Sequence, residues 1–592
     1  MVMHGGEGYI DGVEFVRMGQ MGVLGRYPFH WHLAGNVSGQ YIKNSSIRNS
    51  YQRCLSVHGT HHALVDNNVC FNHFGHGFFL ENGSETGNVI SRNLSMVSKR
   101  IPLAKALLIS DVRTSDPSRF SASSGFWISN PNNIVRGNVA SGAQGTGIWM
   151  SFSRALRCNS FNHCEVGGTF PGTDVHPAYT RTLLFSDNIA HSADVGLNWD
   201  GAPDGALTGN ARNPLDREIV AQHYFFSGPV FERCAVFKNR RTGIYYRGNT
   251  SEFRHLISAD NADSLFFAYN QVVRDSLVVG LSANNTPADL IYLRDYLRNG
   301  QPIHGVRLYD GPFDLVNVHF AGFPSAPLMV GTWNATPIPF FAIGGQERFS
   351  NSVRGLTFSP TPLKKFHIDR TYNWQDDVYT SIIRDIDGSL TGFAGSVVRP
   401  NQPINRDASC SPMTGETAIR CQHRVGILYL GETGRENYTL LNINARLERN
   451  DGAAVQWEGS RYFNKVPIIM DNSHSYRLTF APGAIYAALR MELTTDATVL
   501  SPVVELAGLK ATCNLSAGYI VDSYARPTLF YPLQTSSLQQ LQNLTSALVP
   551  LAMHRDPMGR VYVRFNPKLQ HLLFSSANAG NKTTMRLDFG CP

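Results

Sequence analysis

Gly125-Phe126-Trp127-Ile128-Ser129 and, 22 residues on, Gly147-Ile148-Trp149-Met150-Ser151 are two copies of one phrase: glycine, apolar, aromatic, apolar, small polar. Variants of it stand on both sides, as Cys54-Leu55-Ser56-Val57-His58, Gly77-Phe78-Phe79-Leu80-Glu81, Gly196-Leu197-Asn198-Trp199-Asp200, Gly243-Ile244-Tyr245-Tyr246-Arg247 and Ser264-Leu265-Phe266-Phe267-Ala268. An Asn-aliphatic pair precedes the phrase by eight or nine residues, as in Asn68-Val69, Asn138-Val139 and Asn188-Ile189. Successive copies are 23, 48, 22, 49, 47 and 21 residues apart, which reads as one or two multiples of a coil of 22 to 25 residues. That period belongs to solenoids.

A unit so short cannot bury its own apolar face, so stacked turns must close the core. The expected fold is all-β: a right-handed parallel β-helix with rungs ~4.8 Å apart. Strand side chains alternate faces, which puts Leu55/Val57, Phe78/Leu80, Phe126/Ile128, Ile148/Met150, Leu197/Trp199 and Ile244/Tyr246 inside. The outward column then reads Ser56/His58, Phe79/Glu81, Trp127/Ser129, Trp149/Ser151, Asn198/Asp200 and Tyr245/Arg247. Aromatics beside ionisable groups suit the apolar faces and hydroxyls of a sugar chain. The alternative for Trp127 and Trp149 is a satellite core beneath a covering loop.

The 592 residues are 42% apolar and only 16% charged, and 53 Gly with 30 Pro favour short strands and turns. A net charge of +7 without any Lys/Arg run argues against nucleic acid and is compatible with a polyanion. No stretch of 18 apolar residues occurs, so no transmembrane helix is expected, and Met1-Val2-Met3-His4-Gly5 lacks the features of a leader. The sequence is therefore read as starting inside a larger protein. Nine cysteines include the close pairs Cys158/Cys164 and Cys410/Cys421, expected as disulfides, with one cysteine left over. Sequons such as Asn36, Asn82, Asn93 and Asn249 fit secretion. Together these features place the protein outside the cell or on its surface.

The β-helix is expected over 1–325, interrupted at 97–124, 201–222 and 284–303 by insertions of the kind that build a solenoid's binding face. Residues 326–592 keep β alternation without the coil phrase and read as a sandwich-like accessory region.

Chemistry concentrates in Tyr27-Pro28-Phe29-His30-Trp31-His32, followed by His58, His61, His62, His73 and His76. His30 and His32 share a strand face, and His58 and Glu81, 23 residues apart, stack one rung apart in the outward column. Three readings stand: an acid/base cluster in which histidine tunes Glu81, a transition-metal site, or a histidine ladder that stabilises the first coils. Glycoside hydrolysis calls for an acid and a second carboxylate ~5 to 9 Å away. Glu81 is the candidate acid, its pKa raised by Phe79 and Trp127 beside it. Asp111 is the candidate partner, and Asp200 lies further along the groove. Trp127, Asn130 and Trp149 are candidate sugar contacts, with Arg26, Arg113 and Arg247 for carboxylates. Asp385-Ile386-Asp387-Gly388 is a calcium-loop fragment or an ordinary turn.

The blocks Tyr27-Pro28-Phe29-His30-Trp31-His32-Leu33-Ala34-Gly35, Gly77-Phe78-Phe79-Leu80-Glu81-Asn82-Gly83 and Phe126-Trp127-Ile128-Ser129-Asn130-Pro131-Asn132-Asn133 resemble the ectodomain of the cell-migration-inducing and cell-surface hyaluronidase family. The likeness extends more weakly through the C-terminal half. It implies a secreted or cell-surface protein that binds hyaluronan and hydrolyses it within the chain, helped by calcium. Asp111 matches a family aspartate. Two departures stand out: the eight-glycine domain that precedes the family's β-helix is absent, and Glu81-Asn82 replaces a Glu-Asp pair. Fibrocystin-like receptors share the first block, which keeps a non-catalytic glycan-binding or adhesion module in view. A β-helix polysaccharide lyase is the third possibility.

Overall fold

In the computed structural model of the chain, the period-2 alternation of each repeat becomes one turn of a three-sided coil. The structure describes residues 1–111, 123–152, 156–157, 174–199, 224, 226, 228–268, 271–285, 289–293, 297, 302–308, 313–330, 333–342, 351–368, 382–413, 417–422 and 425–432, and then 441–442, 445–457, 460–461, 465–471, 474–480, 488–495, 503–507, 514–520, 528–530, 533–534, 536–537, 539–540, 551–557, 561–565 and 583–590. It divides into two compact units. The first comprises Met1–Arg307, Phe313–Phe341 and Gly355–Lys365.

One side of the coil is a parallel sheet that takes its strands in chain order: Phe29–Asn36, Leu55–His61, His76–Leu80, Ser124–Ile128, Thr146–Met150, Val195–Trp199, Thr242–Arg247 and Asp263–Ala268. Phe79 pairs with Ser56 and Trp127, Trp127 with Trp149, Trp149 with Asn198, and Asn198 with Tyr245. Every copy of the phrase is thus one rung from the next. The spacings of 47 to 49 residues, read above as two coils, are single coils carrying an insertion between Lys99 and Ser124, Met150 and Leu184, or Trp199 and Val230. A loop that leaves at a corner leaves the rung's register untouched, so chain length between copies does not count rungs. The insertion after Met150 has no counterpart among the expected ones.

Short strands such as Leu64–Asp66 and Val69–Phe74 form the other two sides. Between them the chain turns on a single left-handed residue, Asn44 (φ 52°), Asn67 (55°), Arg92 (55°), Gly137 (65°), Asp187 (59°) and Arg233 (50°) in successive coils. Asn and Asp tolerate this conformation best among residues with a side chain. The next residue turns inward, and there the Asn-aliphatic pair finds its function. Asn68, Asn93, Asn138 and Asn188 stack as a buried ladder in which each Nδ2 donates to the next Oδ1 at 3.0, 3.1 and 3.1 Å. Each of those Oδ1 atoms also accepts the backbone N–H of the coil before it, and Asn138 Nδ2 reaches Ile90 O at 2.8 Å. A buried amide is tolerable because its groups are paired.

Glycine opens the phrase for a steric reason. A Cβ on Gly147 would lie 2.7 Å from Gly196 O and 2.8 Å from the Ala190 methyl, and one on Gly77 would lie 2.6 Å from Gly125 O. The residues assigned inward, Leu55 through Tyr246, are all buried. Coiling does not stop at 325: Ile338–Ala342 extends the first sheet and Thr357–Ser359 pairs in parallel with Phe313–Ala321. Among the described residues no helix is long and apolar enough to cross a membrane.

The second unit comprises Leu308–Pro312, Ala342–Arg354 and Phe366–Pro592. Its main elements are a six-stranded and a seven-stranded sheet, both mainly antiparallel, with Val425–Glu432 between Lys465–Asp471 and Ala488–Thr495 in the first. Cys410 and Cys421 are bonded as expected. Cys54–Cys70, in the first unit, is a disulfide that spacing did not suggest, because the coil rather than local sequence brings the two Cα atoms to 6.0 Å. Among the described residues Cys234 is the free cysteine, and Cys158 and Cys164 lie outside them. The Asp385 turn is closed on itself: its carboxylate accepts Gly388 N at 3.1 Å and Thr391 N and Oγ1 at 2.7 Å.

Candidate active site

The first three full strands of the leading sheet bring the histidines and Glu81 together. His30 pairs with Ser56 and His32 with His58, while the Glu81 N–H donates to Val57 O at 2.9 Å, which sets Glu81 one rung beyond His58. All of these side chains leave the sheet on its outer face. His30 and His58 rings stack at 6.3 Å, and His32 lies 4.9 Å from both.

Hydrogen bonds fix much of the polarity of the cluster. His30 Nδ1 donates to Gly25 O at 3.3 Å, which leaves Nε2 with a lone pair. That Nε2 is buried, has no hydrogen-bond partner and lies 3.9 Å from Glu81 Oε2. Asn82 Oδ1 accepts from Ser84 N and Oγ, so its Nδ2 donates to His58 Nε2 at 3.2 Å. His58 Nδ1 then donates to His32 Nδ1 at 3.1 Å and stands 3.8 Å from Glu81 Oε1. Ser56 Oγ donates to Glu81 Oε2 at 3.0 Å.

The Glu81 side chain is 9% exposed. Burial by itself would lift its pKa, as its apolar neighbours suggested, but interactions with the His58 and His30 rings, the Arg53 guanidinium and the Ser56 hydrogen bond outweigh it. Its pKa therefore lies below the usual carboxylate value, and Glu81 is an ionised carboxylate rather than a stored acid. Burial pushes His30 down to about 4 and lowers half-buried His32 as well, so both are neutral imidazoles near pH 7.

Other expected members of the site are placed differently. Asp111 is fully buried and holds Arg53 Nη2 at 2.7 Å, while its second oxygen accepts the N–H groups of Leu107 and Leu108 at 3.2 and 3.1 Å. It anchors the first insertion and has no free oxygen to offer as a second catalytic carboxylate. His76 is also fully buried, with Nε2 donating to Ser110 O and Nδ1 accepting from Ser124 Oγ, both at 2.8 Å, and burial takes its pKa to about 3. It serves the same anchor. Trp127 and Trp149 are 4% and 2% exposed and pack with Phe79 beneath Leu108, so they form a satellite core instead of open sugar platforms. Asn130 is buried, with Nδ2 donating to Gly83 O at 2.7 Å and Oδ1 accepting Asn132 N at 2.8 Å. Arg26 is exposed in the turn before Tyr27. Arg247 lies in the Glu81 column several rungs away, and Arg113 and Asp200 fall outside the described residues.

Sequence reading passed over two residues. Glu85, fully buried, accepts Gly59 N at 3.1 Å, Gly83 N at 2.8 Å and Ser129 Oγ at 3.2 Å, and so shapes the loop that presents Asn82. Arg53 lies with its guanidinium 3.9 Å above the Phe79 ring. Its position just before Cys54 in the repeat was the available signal, but nothing in the spacing ties it to Asp111. Asn93, a sequon, is locked in the asparagine ladder and cannot carry a glycan.

Among the described residues of the cluster, the donor set does not fit calcium. It takes six to eight oxygen ligands, and the cluster offers three imidazoles and one carboxylate. The Asp385 oxygens are spent on their own turn.

A family model described as CEMIP beta-helix matches residues 1–197, the segment that contains the whole cluster. That segment is similar to the CEMIP β-helix. The resemblance read from the Tyr27–Gly35 and Gly77–Gly83 blocks is the same one. Proteins similar to this chain include the human cell surface hyaluronidase CEMIP2, 27% identical over 73% of this chain and 35% of that protein. The mouse cell migration-inducing and hyaluronan-binding protein is 26% identical over 75% of this chain and 36% of its own length, and human fibrocystin-L is 25% identical over 68% and 9%. The chain spans about half or less of the curated relatives it matches. Among solved structures, tailspike protein 3 of bacteriophage CBA120 is similar at 10% identity and a TM-score of 0.30, covering 69% of this chain and 58% of that one.

Proposed function

We propose that this chain belongs to an extracellular or cell-surface enzyme that hydrolyses hyaluronan, or a closely similar uronate-containing glycan, within the polymer. The observation that carries the proposal is Glu81: an ionised carboxylate, oriented by Ser56, set among three histidines on the outer face of a β-helix. The names of the cell surface hyaluronidase and hyaluronan-binding relatives support the substrate class. Two disulfides in the described residues fit an oxidising compartment. The net charge of +7 and exposed Arg26 favour an acidic polymer.

With Asp111 committed to Arg53, one carboxylate carries the proton transfer. Glu81 takes a proton from the attacking water as its oxygen bonds to the anomeric carbon, the glycosidic C–O bond breaks, and Glu81 passes that proton to the leaving oxygen. Arg26 and Arg247 would meet uronate carboxylates.

Size-defined hyaluronan tests this directly. New reducing ends without the ultraviolet absorbance of an unsaturated uronate are expected, and Glu81→Gln should lower the rate by about 10²- to 10⁴-fold while binding persists. Unsaturated products would make the protein a lyase. Binding without shortening would make it a glycan-binding module.

A further inference from the structure

We propose that His30, His32 and His58 hold one divalent transition-metal ion of the zinc class, with Glu81 beside it. The inference concerns the site of the proposed hydrolysis, but neither its geometry nor its test depends on that activity.

Three donors converge, one ring nitrogen each of His30, His32 and His58, all within 4.8 Å of one another. His58 Nδ1 stands 3.1 Å from His32 Nδ1 and 3.8 Å from Glu81 Oε1, and His30 Nε2 stands 3.9 Å from Glu81 Oε2. In a tetrahedral site with arms of ~2.0 to 2.1 Å, donors are ~3.3 Å apart, so the widest pair must close by up to ~1.5 Å through side-chain rotation. His30 supplies the decisive detail. Its Nδ1–H is committed to Gly25 O, which aims the Nε2 lone pair at the Glu81 carboxylate with no proton between them. Two electron-rich atoms facing each other in a buried site call for a cation. A metal-bound histidine ordinarily gives its other N–H to a backbone carbonyl in this manner. Three imidazoles with a carboxylate suit zinc, cobalt or nickel and not calcium.

Asn82 supplies an independent check. Once His58 Nδ1 binds the ion, its Nε2 carries the proton and needs an acceptor, yet Asn82 presents Nδ2 to it. The Asn82 amide would have to turn over and give up its bonds to Ser84. An aspartate there would accept that proton without rearrangement.

The full chain, stripped with a chelator, would be titrated with Zn²⁺ and Co²⁺ by calorimetry and visible absorption. One ion per chain and the intense bands of tetrahedral Co²⁺ are expected. His32→Ala, which removes the half-exposed ligand, should weaken binding about 100-fold or more with an unchanged circular dichroism spectrum, and Asn82→Asp should tighten it about tenfold. If His32→Ala failed to fold, Asn82→Asp and Glu81→Gln would report on the same shell. Failure to bind either ion, wild-type affinity in His32→Ala, or displacement of Co²⁺ by millimolar Ca²⁺ would overturn the proposal. Binding without hyaluronan cleavage would support the metal site while refuting the proposed hydrolysis.

Discussion

Arg53 governs the site without being able to reach a substrate. It is 1% exposed, bonds to Asp111, covers the Phe79 ring and contributes to the low pKa of Glu81. Removing one partner of a buried ion pair leaves an uncompensated charge, which costs about 3 to 5 kcal/mol. Asp111→Asn is therefore expected to destabilise by that amount in urea unfolding, and a loss under ~1 kcal/mol would contradict the anchoring role. At this scale the outward histidines and Glu81 were legible, since strand parity and a 23-residue spacing place them in one column. The roles of Asp111, His76 and Trp127 were not. Parity states which side of a strand a residue leaves, and cannot say that Leu108, from an insertion, covers that side.

The coil is held at its corners by the asparagine ladder. Asn138→Ala would strand Ile90 O and Asn93 N in the interior and take one of the two acceptors of Asn93 Nδ2, which keeps Val65 O. At about 1 to 3 kcal/mol for each unsatisfied group, a loss of at least ~2 kcal/mol is expected. Asn67→Gly, at the exposed left-handed corner, should change stability by less than ~1 kcal/mol. Equal effects from the two variants would show that the ladder does not bear on stability. The Asn-aliphatic phrase was visible in the sequence as a repeat, but its meaning was not, because a ladder is made between coils and no single coil displays it.

Across the first unit, stability should depend on pH well before the carboxylates titrate. His73 and His76 are fully buried and titrate at about 3 in the folded chain, burial being the main cause, against ~6.5 for a free imidazole. Between those values the unfolded chain binds protons that the folded chain refuses, so stability falls as pH drops through the window. The loss is up to ~1.4 kcal/mol per pH unit for each histidine, or about 3 to 4 kcal/mol for the pair between pH 7 and 5. Asp111, whose pKa is lowered despite burial because of Arg53, adds a further loss at lower pH. Urea midpoints measured across this range would test it, and a flat profile would contradict the burial of both rings.

Fold class was readable at this scale because seven copies of one phrase leave few alternatives. Coil number and the end of the helix were not, because insertions lengthen the chain without adding rungs and the last coils lack the phrase. Phe78 sits opposite Phe126 although 48 residues separate them, while Phe126 sits opposite Ile148 after only 22. The rungs are thus indifferent to how much chain is spliced between them. A lineage, or an engineer, is free to exchange whole loops between rungs for others of different length and retune what reaches Glu81, with the framework beneath inherited unaltered.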